Sequence, residues 1–145
     1  MHMTPETVFK LVNWLALTGW IMLIVLPRRH ANKLVIGIVT TLLAALYSWL
    51  VFEHFKPAHL QNFQSLQGIS ALFENPHMLL AGWVHYLAFD LMVGAWIKND
   101  AYILRIHFGF VLPCLVFTFL LGPLGLLLYL IIRSLTTKRY FTENY

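Results

Sequence analysis

The chain has 145 residues, 59% of them hydrophobic and 11% charged, with a mean hydropathy of +0.71. That balance excludes a soluble domain of this length and identifies an integral membrane protein. The net charge of +4 does not point to nucleic acid, because the basic residues sit at the ends of apolar segments, where they anchor helices at the membrane interface.

Thr4-Pro5-Glu6 reads as a helix start, with Thr4 as cap, Pro5 at the first position and Glu6 favoured by the helix dipole. A first membrane helix follows over 8–26. It is longer than a signal-peptide core and runs into Pro27-Arg28-Arg29-His30 where a small-residue cleavage site would stand, so it is read as retained. Within it Asn13 is expected to act as interhelical glue or to touch a ligand. A short basic turn, 27–33, makes the next helix, 34–52, an antiparallel neighbour, and Glu53-His54 then reach water.

The segment 55–76 is too polar to span. Phe63, Leu66, Ile69 and Leu72 or Phe73 recur in it at helical spacing, which predicts an amphipathic interfacial helix over 62–74, packed on the core or folded as a lid. Asn75-Pro76 opens helix three, 77–97, which Lys98-Asn99-Asp100 is expected to end, with Asp100 solvated or paired to Lys98 or Arg105. Helix four is expected over 104–132, with His107 in its first turn and Cys114 as a small core residue. Its 29 residues would extend roughly 43 Å against a hydrocarbon core of about 30 Å, so Pro113 should kink it and Gly122-Pro123 could break it, freeing carbonyls. On this layout the two faces carry Arg28, Arg29, Lys33, Lys98 and Arg105 against Lys10, Lys56, Arg133, Lys138 and Arg139, and no orientation emerges. The polar tail after Arg133 is expected to fray.

Helix three is the element around which the rest is organised, because Gly82 to Asp100 sets His85, Tyr86 and Asp90 in an apolar run. A carboxylate at a helix centre costs about 2.5–3.5 kcal/mol to insert and so marks a site. At about 100° per residue Gly82, Tyr86, Asp90 and Gly94 form one row flanked by Trp83, a glycine-lined groove into which a helix or ligand can press. His85 points about 140° away from Asp90. Either it meets another helix, or the helix distorts and the two converge.

Glycine-rich phosphate loops and the HExxH, CxxC and GxSxG patterns are absent. His85, Asp90, Asp100, His107, Glu53 and His54 supply metal-ligand types without the spacing that would put two on one helical face, so no metal or other cofactor is expected. Proton chemistry remains. A carboxyl withdrawn from water tends to its neutral form, so Asp90 could act as an acid, with His85 as base or orienter. The competing account has Asp90 bonding to Tyr86, Asn13 or a backbone carbonyl and only pinning the bundle.

The runs GWVHYLAFDLMVGAWIKNDA and HFGFVLPCLVFTFLLGPLGLLLYLIIR, with FQSLQGISALFENP before them and an asparagine in helix one, resemble the small four-helix membrane family that includes plant neoxanthin synthase. The resemblance covers nearly the whole chain. It implies a role in carotenoid metabolism, where an epoxide becomes an allene by net isomerisation, with an acid at the epoxide oxygen, a base at the neighbouring carbon and no redox change. With no transit segment ahead of helix one, a bacterial member in the inner membrane is expected.

The expectation is an all-α, single-domain membrane four-helix bundle handling a carotenoid-like isoprenoid lipid. Asp90, His85 and Tyr86 are the catalytic candidates, and Asn13, Gly82, Trp83, Gly94, His107 and Asp100 line the substrate. The alternative is a non-catalytic module that binds a carotenoid or assists an enzyme. Small-faced helices are compatible with a homodimer.

Overall fold

The computed structural model describes residues 4–137. Lys138, Arg139 and the tail's end, counted above, lie outside them, as do the side chains of Arg28 and Arg29. Among the described residues the protein is all-α: α1 Pro5–Val25, α2 Arg28–Leu34, a π segment Val35–Thr40, α3 Thr41–His54, a 3-10 helix Pro57–Gln64, α4 Leu66–Phe73, α5 Pro76–Ile103, α6 Phe108–Leu121 and α7 Pro123–Thr137.

Among the described residues three stretches are long and apolar enough to cross a bilayer: Pro5–Val25, Val35–His54 and Pro76–Ile103. Large apolar side chains cover the outer surface, with Trp14 69%, Phe52 89% and Leu135 77% exposed. This is the surface of a protein solvated by lipid.

Local chemistry sets the boundaries. The Thr4 hydroxyl accepts from the Thr7 amide at 3.3 Å, which starts α1 where the sequence predicts it. The basic turn is helical from Arg28 onward, so α2, the π segment and α3 follow without a gap. Thr41 donates to the Ile36 carbonyl five residues back, at 3.1 Å, which supports the wider turn. The interfacial helix is split: Ser65 ends the 3-10 helix and caps α4, accepting from the Gly68 amide at 3.0 Å.

Helix three is longer than the sequence suggests. It passes through Lys98-Asn99-Asp100 to Ile103, 28 residues in all, because both charges find partners within the bundle. It stops at a Schellman turn, with Arg105 at φ 54, the Arg105 amide donating to Tyr102 O at 3.2 Å and Ile106 to Ala101 O at 2.9 Å.

Helix four is not one helix. α6 has 14 residues and α7 has 15, about 21 and 22 Å, and neither spans alone. Pro113 stays inside α6; the break is at Gly122, with φ 40 and ψ −92, and Pro123 starts α7. α7 then folds back along α6: Gly125 packs so closely on the Thr118 amide and Cys114 carbonyl that a Cβ there would overlap them. On one straight helix positions 114 and 125 would stand about 16 Å apart. The fold is therefore three spans plus a re-entrant helical hairpin, and Arg133 returns to the face of the α5 exit rather than the opposite one.

The tip of this hairpin meets the middle of α5, and α5 touches every other α-helix. Its apolar window is 56% buried, against 33% for α1 and 22% for the second span, so α5 is the core element. Gly94 lets α1 come close, since a Cβ there would lie 2.5 Å from Trp20 Cη2.

Candidate functional site

Asp90 lies half-buried near the middle of α5, facing the hairpin tip. A Cβ added to Gly122 would stand 2.6 Å from Asp90 Oδ1 and 3.0 Å from Oδ2, so the carboxyl rests on the bare backbone of the break. Among the described residues three buried side-chain oxygens have no hydrogen-bond partner: Thr40 Oγ1, Ser134 Oγ and Asp90 Oδ2. Asp90 alone among them is an acid, and a carboxyl oxygen withdrawn from water without a donor is the costliest of the three to leave so, although the Tyr86 hydroxyl stands within hydrogen-bonding reach of the carboxyl.

One turn earlier the Tyr86 hydroxyl donates to the Leu120 carbonyl at 3.2 Å. Leu120 is in the last turn of α6, where carbonyls have no intrahelical partner. The Gly122 break thus frees the acceptor that Tyr86 takes, and the tyrosine ties α5 to the tip beside Asp90. Trp83 packs on Tyr86 with ring centres 5.4 Å apart and donates from Nε1 to Asn13 Oδ1 at 2.9 Å, while Asn13 Nδ2 donates to Phe9 O at 2.9 Å. Asn13 is interhelical glue. Its replacement by Ala is expected to cost about 0.6–1 kcal/mol. A double-mutant cycle with Trp83→Phe checks this; additive single effects would show that the bond carries nothing.

The remaining candidates disperse. His85 takes the first of its two alternatives: it stacks on Phe89 at 4.5 Å and meets Tyr47 of α3 at 5.4 Å, so it and Asp90 do not converge. Gly82 faces Phe73 of α4 and Gly94 faces Trp20 of α1, so the glycine row seats two neighbouring helices rather than one groove. His107 precedes α6 as its cap, accepting from the Gly109 amide at 3.2 Å, and is exposed.

Asp100 is 2% exposed, and neither solvated nor paired with Lys98 or Arg105 as expected. Its Oδ2 accepts from Tyr129 Oη at 2.5 Å and from Arg133 Nε at 2.8 Å, pinning the returning arm of the hairpin. Reading along the sequence missed this pair because it depends on α7 turning back. The available signal was Tyr129 and Arg133 at i,i+4 on one face of the last apolar run. Among the described residues no group of three or more His, Cys, Asp or Glu is placed to hold a metal ion.

A family model described as ABA DEFICIENT 4-like matches residues 7–129, which takes in α1 through the Tyr129 contact with Asp100. The chain belongs to that family. The match includes Asn13, Trp83, Tyr86, Asp90 and the Gly122 break, so the whole candidate site lies in the part that defines membership. No curated protein and no solved structure matches the chain significantly.

Proposed function

We propose that the protein acts on a carotenoid-like isoprenoid lipid, isomerising an epoxide by proton transfer at Asp90. Family membership supports the carotenoid connection. The observation that carries the chemistry is the buried, unpartnered Oδ2 of Asp90 at the hairpin tip. A mostly apolar cavity of about 280 Å³ between α1 and α5, lined by Glu6, Phe9, Leu79 and Trp83, begins about two turns from Asp90 along α5, extends away from it to Pro76, and suits part of a polyene.

In this reading the neutral Asp90 carboxyl gives its proton to the epoxide oxygen as the C–O bond opens. The electron-poor carbon is relieved when the neighbouring vinylic C–H pair becomes a new double bond, giving an allene. With His85 turned to α3, the Asp90 carboxylate takes that proton itself and is regenerated. One C–O and one C–H bond break, one O–H and one C=C form, and nothing is oxidised or reduced. Tyr86 positions the tip against Asp90 and does not transfer a proton.

The test is pigment analysis of a host that accumulates epoxy-carotenoids and expresses the chain. Asp90→Asn keeps the shape and removes the acid, so product should fall at least about 10²-fold, the usual contribution of a general acid, while unchanged pigment still copurifies. Product formation that survives this substitution sinks the mechanism. A wild-type protein that retains pigment without altering it would instead favour a non-catalytic carotenoid-binding module.

A further inference from the structure

Between the end of α1, the last turns of α5 and the start of α6 lies a second cavity, of about 460 Å³, within the range of small-molecule sites. Leu26, Ala101, Ile106 and Val111 make its walls apolar. Val25 and Tyr102, 72% and 64% exposed, stand at its rim, so it opens on the outside of the bundle.

Lys98 lines this cavity, half-buried. Its Nζ donates to the Leu23 carbonyl and, at 2.7 Å, to the Leu26 carbonyl, where it offsets the negative end of α1. An ammonium has three donors, so one remains. No carboxylate pairs with Lys98 among the described residues: Asp100, two positions along, is bound to Arg133. A half-buried cation on an apolar wall without a counter-ion favours an anion from outside the chain.

The hairpin adds a second observation. By returning Arg133 to the α5 exit it sets Lys33, Lys98, Arg105 and Arg133 on one face, against Lys10 and Lys56 on the other, among the residues whose side chains are described. That asymmetry marks the cytoplasmic side, and basic pockets between membrane helices there receive anionic head groups.

We infer that the cavity beside Lys98 binds the phosphate head group of an anionic membrane lipid. The phosphate meets the remaining Lys98 donor, and the first acyl carbons lie on the apolar walls with the chains leaving past Val25 into the bilayer. A free phosphate would leave those walls unused.

Delipidated full-length protein, titrated with phosphatidylglycerol or phosphatidylcholine and followed by native mass spectrometry, tests this. Wild type should hold one phosphatidylglycerol with about tenfold preference, the scale of one charge-assisted contact. Lys98→Gln should lose the preference and Lys98→Arg keep it. Since Lys98 also caps α1, Val25→Trp provides a variant that obstructs the exposed rim without touching the cap and should weaken binding of phosphatidylglycerol. Equal binding of both lipids by wild type, an unchanged preference in Lys98→Gln, or displacement of the lipid by millimolar inorganic phosphate alone would overturn the inference.

Discussion

Arg133→Met is expected to cost about 3–5 kcal/mol, because it removes an ion-paired cation from beside a carboxylate that is 2% exposed. Tyr129 would still donate to Asp100, but a hydroxyl does not replace the charge that Arg133 supplies. The double variant Asp100→Leu/Arg133→Met should recover most of the loss, since the ion pair's desolvation roughly cancels its attraction and apolar groups of similar volume fill the space. Reversible unfolding in detergent measures both. A single substitution costing under about 1 kcal/mol would mean that the pair is wet and does not hold α7 against α5. A double variant as unstable as the single one would mean that packing matters there more than charge.

This pair also separates what could be read along the chain from what could not. Three spans were legible because hydropathy over about twenty residues is a local property, and Asn13 was legible as glue because an amide in an apolar helix needs a partner wherever it lies. Helix three was extended too little because Lys98 and Asp100 look like a helix end. The partners that let the helix continue, the carbonyls of α1 and Arg133 of α7, are remote in sequence. Helix four carried its own warning, since it was too long for the bilayer and held Gly122-Pro123. Those residues announce a break but not its angle. The angle comes from Gly125 fitting against Thr118 and from Asp100 receiving Tyr129 and Arg133. Of the candidate site, Asp90 and Tyr86 were singled out by their cost in an apolar run. Gly122 and the Leu120 carbonyl were not, because a backbone surface becomes part of a site only when the chain turns.

If Asp90 is the proposed acid, Gly122→Ala should therefore lower product formation as severely as the loss of Asp90 itself. The residue has φ 40 and ψ −92, a conformation that costs a non-glycine residue about 1–3 kcal/mol. Its new Cβ would also lie 2.6 Å from Asp90 Oδ1, so the carboxyl must swing away or the hairpin tip must retreat, taking the Leu120 carbonyl from Tyr86. A shift of about 1 Å at a reacting group can cost 10²-fold in rate, and product formation should drop at least that far. The two causes separate in a double-mutant cycle. In an Asp90→Ala background the clash is gone and only backbone strain remains, so the stability cost of Gly122→Ala should shrink by about 0.5–3 kcal/mol, the range for residues in contact. An unchanged cost would show that Asp90 does not rest on Gly122, and the hairpin tip would then have no part in placing the acid.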